Sequence, residues 1–275
     1  FIALIEHGEH SGNLIQSLRM ARMVMERQDI LIKACLSALT YPIVIAVFAS
    51  ALTLGLMTWV MPQIIPLLKS LHVALPLLTL FVIYASEHII SYGLLVATLL
   101  VLSLIIIIST YVFSKKARFC IQYALLQIII IGQLYRLYHL SLMFRSLGTL
   151  ISSGHLAHDA YIKVTEKITL LPVQNYFLKK IPYIDQGFSI SSITTSFKKI
   201  PKYAAPLISA GEVSGSLGSS LLRVADIIDR DIEHSLKRMT ALIEPLMMIG
   251  VGSMIGAIAL SIMMPIYEVS KVLQH

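Results

Sequence analysis

Residues Leu4-Ile5-x-x-Gly8-Glu9-x-Ser11-Gly12-x-Leu14 return as Leu207-Ile208-x-x-Gly211-Glu212-x-Ser214-Gly215-x-Leu217, a displacement of 203 positions. With no gap, Pro42 then matches Pro245 and Pro62 matches Pro265. In both copies the prolines bracket 19 uncharged, mostly apolar residues. Such a period constrains the fold before any local pattern does, because it fixes a unit that the fold must use more than once. Here the unit is a helical module that feeds an apolar helix.

Three uncharged runs, Ile43–Met61, Gly93–Phe113 and Leu246–Met264, are long enough to cross a bilayer. At about 1.5 Å per residue, a 19-residue helix reaches roughly 28 Å, close to the hydrocarbon thickness. Composition agrees: 56% of residues are hydrophobic and only 13% charged, against a norm of ~25% charged in soluble domains. Mean hydropathy is +0.79. The expected fold class is all-α, a polytopic membrane protein with three transmembrane helices and antiparallel helical-bundle domains.

The net charge of +7 matters less than its placement. Lys115, Lys116 and Arg118 follow the second apolar run directly, and 20 of the 22 basic residues fall in 1–40 and 115–240. Lys and Arg mark the cytoplasmic flank of membrane helices, so both polar segments are expected on the cytoplasmic side. The repeat makes the same demand: two copies of one module insert in one direction if both polar parts lie on one side. The apolar stretch 76–92 carries Glu87 and His88; if it also spanned, residues 115–240 would face outward. It reads instead as an interfacial or periplasmic helix.

The expected layout follows. Residues 1–40 are the end of a first cytoplasmic helical domain and 41–62 the first span. Residues 63–92 are a periplasmic loop and interfacial helix, with Pro62 and Pro66 ending the span, and 93–114 are the second span. Residues 115–242 form a second cytoplasmic bundle of six helices, 243–266 the third span and 267–275 a short periplasmic tail. The second Gly-Glu motif has about 85 residues of helix pattern before it and the first has about three, so an N-terminal cytoplasmic portion is expected to precede Phe1. Cys35 and Cys120 read as reduced, small buried hydrophobes.

Within the polar domain, Leu134, Leu137, Leu140, Phe144, Leu147 and Ile151 form a helical stripe that Ser152-Ser153-Gly154 ends. Leu217, Leu221, Val224, Ile228, Ile232 and Leu236 form another, with Asp226/Arg230 and Glu233/Lys237 spaced for ion pairs on its polar face. In the first copy Leu14, Leu18, Ala21, Met25 and Ile32 share a face.

The Gly-Glu-x-Ser-Gly-x-Leu motif reads as a turn between helices. Gly8, Gly12, Gly211 and Gly215 allow left-handed backbone and close approach. Ser11 and Ser214 are placed to cap the next helix, and Glu9 and Glu212 to accept amides at a helix start. A catalytic reading needs a nucleophile or second acid that recurs in both copies, and none does. The motif, the Glu244-Pro245 step into a glycine-rich span and the Pro265 that ends it resemble the type II secretion system F protein family. Phe144–Ala160 resembles the start of that family's cytoplasmic domain. The resemblance covers essentially the whole chain in order, with Tyr41 in the place that Glu244 takes in copy two.

That resemblance implies a bacterial inner-membrane platform protein of a type IV pilus or type II secretion machine. Its implied partners are a hexameric assembly ATPase, pilin or pseudopilin subunits, other inner-membrane assembly proteins and further copies of itself, with no nucleic acid. It implies no enzyme activity and no cofactor. The residues agree that the chain does not hydrolyse ATP: no Gly-x-x-x-x-Gly-Lys-Ser/Thr loop is present.

Other candidates are weaker. His7-x-x-His10 and His155-x-x-His158-Asp159 read as solvated histidines rather than metal ligands, having no third ligand at fixed spacing. Glu244 at the membrane entrance, with Pro42 and Pro245, reads either as solvated at headgroup depth or as one half of an ion pair coupling a bundle to its span. Gly252, Gly256 and Ala259 make a small-residue face suited to helix packing, within or between subunits. Lys179, Lys180, Lys198, Lys199 and Lys202 form a basic face with no aromatic residues interleaved, solvated or docking an acidic partner. A transporter or channel needs paired polar groups at midplane, and an intramembrane enzyme a buried Ser/His or Asp pair. The three runs hold no charge, His or Asp.

Overall fold

The computed structural model describes residues 14–70, 77–197 and 199–272, and every regular element among them is helical. Helix α1 (Leu14–Gly55) passes through Pro42, then a π-helical turn (Leu56–Val60) leads into α2 (Met61–Ser70). Helix α3 is Leu77–Phe113. Then come α4 (Lys115–Gln127), α5 (Ile129–Ser152), α6 (Ala157–Glu166), α7 (Leu171–Leu178), α8 (Ile181–Asp185), α9 (Ile190–Thr195) and α10 (Ala204–Val213). Helix α11 runs from Leu217 to Val272 without interruption. Three helices are long and apolar enough to cross a membrane, within Arg22–Pro66, Leu77–Phe113 and Leu217–Met264; α4 and α5 add a fourth only if counted as one broken span.

Several element boundaries differ from the sequence reading. Pro62 and Pro66 do not end the first apolar helix. The wider π turn ahead of Pro62 leaves room for its ring, and Pro66 falls within α2. Residues 63–70, expected as loop, are therefore helical. The split between an interfacial helix and a second span at residue 93 is absent, since α3 is one 37-residue helix. Among the described residues, 115–242 hold eight helices rather than six, because α4 and α8 were read as connection. Cys120 is exposed and Cys35 half-buried.

The chain divides into two units. One comprises 1–36 and 111–237, the other 37–110 and 238–275. In the first, both expected stripes are the core: Leu140, Phe144, Leu147, Leu221, Val224 and Ile228 are fully buried. Leu170, Phe177, Ala204 and Ile208, from α7, α10 and the segment before α7, are fully buried as well. In the second unit, Met57, Met61, Ile65, Val82, Ile83 and Ile258 form a cluster, with Leu56, Ile89 and Ile262 packed against it.

Candidate functional site

The repeated motif can be followed in its second copy; Gly8, Glu9, Ser11 and Gly12 lie outside the described residues. Helix α10 ends at Gly215, where φ is +71°, and Ser216 N–H donates back to the Gly211 carbonyl at 2.7 Å. That left-handed closure is the conformation that glycine adopts without strain. The same backward bond closes α5 at Gly154 (His155 N to Leu150 O, 3.1 Å) and α8 at Gly187 (Phe188 N to Tyr183 O, 3.0 Å). Gly211 serves a different purpose. A Cβ there would stand 2.1 Å from Ser220 Oγ, so its hydrogen lets α10 press against α11.

Glu212 accepts two backbone amides at a helix start, as its position in the motif suggests, but the helix is α9 and not the one that follows. Ile190 N–H donates to Oε1 at 2.9 Å and Ser191 N–H to Oε2 at 3.1 Å. Ser214 does not cap α11. Its hydroxyl donates to the Gly211 carbonyl at 3.3 Å and pairs with Ser216 Oγ at 2.7 Å, tightening the turn on itself.

Beside this turn α5 and α11 cross at glycine. A Cβ on Gly148 would lie 2.7 Å from the Gly218 carbonyl, and one on Gly218 2.5 Å from Ser152 Oγ. Further along the same pair of helices sits a buried charge network. Arg145, 5% exposed, donates from Nη2 to Asp226 Oδ1 at 2.9 Å and to Asp229 Oδ2 at 2.6 Å. Ser141 Oγ donates to the other Asp229 oxygen, Oδ1. Asp226 thus pairs across helices with Arg145, where its spacing had suggested Arg230. The signal for this network was present: Ser141 and Arg145 flank the α5 stripe, and Asp229 directly follows Ile228.

Gln122 is a second buried joint. Its Nε2 donates to the Thr169 carbonyl at 3.1 Å and to Tyr111 Oη at 3.3 Å, and its Oε1 accepts from Leu171 N–H at 2.9 Å. The last turn of α3, helix α4 and the link before α7 are thereby tied to one fully buried amide. No sequence pattern singled it out. A cleft of about 410 Å³ opens between α1, α5 and α6, lined by Val24, Met25, Gln28, Met143, Lys163 and Lys167 among others. His139 lies on its wall, and burial pushes its pKa down to about 4, so it is neutral at pH 7.

Comparison with known proteins places this arrangement. The family model for type II secretion system protein F matches residues 1–62 and 143–265, two segments that each close at a repeat proline. The chain belongs to that family. It is 28% identical over 271 residues to the type IV pilus assembly protein PilC of Thermus thermophilus, covering 98% of this chain and 66% of that protein. It is 24% identical over 277 residues to type II secretion system protein F of Xanthomonas campestris pv. campestris, covering 98% and 67%. Against the protein F of Pseudomonas aeruginosa the identity is 27% over 272 residues, covering 98% and 66%. The chain spans about two thirds of the length of these relatives.

In this member of the protein F family the basic face is partly aromatic, contrary to the sequence reading. Lys180 Nζ stands 4.5 Å from the Tyr183 ring centre and 5.8 Å from that of Tyr176, and Phe188 meets Tyr183 edge-on. Lys179, Lys199 and Lys202 are exposed; Lys198 lies outside the described residues. His7 and His10 do too. His158 is not simply solvated. Its ring bridges Asp185 at 2.7 Å and Asp159 at 3.0 Å, and these bonds, that to Asp185 first, raise its pKa. Among the described residues no cluster of three metal-ligating side chains forms.

In the apolar helices Pro42 and Pro245 interrupt nothing, and Glu244 is exposed with no ion pair among the described residues. Gly252 and Gly256 face open space, and Ala259 is exposed. Among the described residues α11 packs through Ile258, Ser261 and Ile262, and nothing covers the small-residue face.

Proposed function

We propose that this chain acts as the inner-membrane platform of a type IV pilus or type II secretion machine, with both polar segments cytoplasmic. It would couple an assembly ATPase in the cytoplasm to the insertion or extraction of pilin or pseudopilin subunits. The observation that carries the reading is the family match, laid out in two segments along the internal repeat. Relatives of both kinds carry the names, type IV pilus assembly protein and type II secretion system protein F. Members of this family are membrane platforms rather than enzymes.

The geometry supports coupling through α11. One helix leaves the Gly215 turn, carries Asp226 and Asp229 onto Arg145, passes Glu244 and Pro245, and continues as an apolar helix. Contact with the ATPase is assigned to the basic-aromatic face of Lys179, Lys180, Lys199 and Lys202 with Tyr183, whose charge suits an acidic surface. Self-association is assigned to the uncovered Gly252, Gly256 and Ala259 face, where small residues permit close helix approach. The transporter alternative gains nothing from five hydroxyls of the apolar helices. Thr53, Thr58, Thr98, Ser103 and Thr110 all donate to carbonyls three or four residues back on their own helix.

A photo-crosslinking residue at Lys202 or Arg223, both exposed, tests the assignment in cells. Capture of the ATPase is the expected result; capture of envelope proteins alone would overturn it. Labelling a cysteine at Lys163 with an impermeant reagent in intact cells tests the orientation, and protection is expected.

A further inference from the structure

Proline has no amide hydrogen, so within a helix it leaves one upstream carbonyl without its donor. In a bilayer no water takes that donor's place, and each such carbonyl needs another partner. Pro62 and Pro265 are equivalent prolines of the two repeats, and both lie inside helix. In copy two, with ordinary helical spacing, the orphan is the carbonyl of Ser261, four residues before Pro265. In copy one the π turn shifts the spacing by one: Met61 N–H donates to Leu56 O, five residues back. The donor due to Met57 O is then residue 62, the proline.

Both orphans are filled from a single helix. Thr79 Oγ1 donates to Ser261 O at 3.0 Å, and Ser86 Oγ donates to Met57 O at 2.6 Å. Thr79 and Ser86 are fully buried. They stand seven residues apart on α3, two turns along one face. Between them Val82 and Ile83 enter the cluster with Met57, Met61, Ile65 and Ile258. Ser and Thr in apolar helices ordinarily bond back to their own carbonyls, as Thr98 and Ser103 do on this same helix. Thr79 and Ser86 depart from that habit at the two carbonyls that a proline has stripped.

We infer that Thr79 and Ser86 form an intramembrane clasp, through which α3 supplies the two hydrogen-bond donors that Pro265 and Pro62 lack and so holds both repeat-equivalent helices. The clasp is a lateral joint: each carbonyl keeps its donor only while α3 lies against it, and withdrawal of α3 uncovers a bare carbonyl on both helices. Nothing in this depends on the partners proposed above.

A mutant cycle on the full chain in mixed micelles tests it. Ser86→Ala is expected to raise the unfolding equilibrium constant about threefold to tenfold, the range for interhelical hydrogen bonds in membranes. In a Pro62→Ala background, where residue 62 supplies its own N–H, the same change is expected to move it less than about twofold. Thr79→Val against Pro265→Ala follows the same pattern, and Thr98→Val stays below about twofold. Equal losses in both backgrounds, or no loss from Ser86→Ala, would overturn the clasp. A readout independent of stability is the amide I band of an isotope-labelled Met57 carbonyl. It shifts to higher frequency in Ser86→Ala alone and not in the Pro62→Ala background; an unmoved band in Ser86→Ala refutes the donor assignment.

Discussion

The two copies of the repeat begin alike and end in different surroundings. In copy two, Leu221 and Ile228 on α11 are fully buried in the helical bundle. Their equivalents in copy one, Leu18 and Met25 on α1, are 45% and 54% exposed. Asp229 is 8% exposed and pairs with Arg145; its equivalent Glu26 sits on the surface, 4.0 Å from Arg22 of the same helix. One helical pattern is thus read in two ways, according to what lies over it. An apolar stripe fixes which face of a helix seeks cover, and the covering helices decide what that face is worth.

Four substitutions bear on that contrast. Asp229→Ala leaves the buried Arg145 guanidinium with the more exposed Asp226 alone, and an expected loss of about 3 kcal/mol, the low end for breaking a buried pair, should appear in denaturant unfolding of the solubilised protein. Glu26→Ala removes only a surface pair, worth about 0–1 kcal/mol; comparable losses from the two would erase the distinction. Leu221→Ala opens a cavity and is expected to cost about 2–5 kcal/mol, whereas Leu18→Ala should stay within about 0.5 kcal/mol.

A further test concerns pH. His139 is held neutral, its pKa lowered to about 4 from an ordinary 6.5. The unfolded chain therefore binds more protons between those values, and stability present above pH 6.5 drains away as pH falls toward 4. The loss should be roughly 1–3 kcal/mol, followed as unfolding midpoint against pH. His139→Phe should flatten that profile, and an unchanged slope would show that other groups set it. A local effect is expected of Glu212→Gln, which weakens the cap on α9 by about 1 kcal/mol. Hydrogen exchange at Ile190 and Ser191 should quicken while Leu221 stays protected.

What the sequence disclosed was whatever rests on periodicity. The stripes through Leu140 and Leu221 are core, and Gly154 and Gly215 close helices, because spacing and glycine act locally. The motif's Glu212 was legible as an amide acceptor, though not which helix it would serve, since α9 lies some twenty residues upstream. Arg145 was not read as a partner of Asp226, because an i,i+4 neighbour looks equally good until α5 is laid alongside. Gln122 gave no sign, being one polar residue on a weakly patterned helix. Proline misled in the other direction: Pro62 and Pro66 look like stops, and neither stops a helix whose widened turn and borrowed hydroxyl absorb the first of them.

The π turn at Leu56–Val60 also breaks the mapping between the copies. It has the effect of one inserted residue, which sets the downstream chain back by about 100° around the helix axis. Up to Gly55, a substitution and its counterpart 203 positions later point the same way. Beyond it they do not, although the prolines still align letter for letter. A duplicated gene segment has in this way yielded two membrane helices that present different faces, without a single insertion or deletion between Pro42 and Pro62.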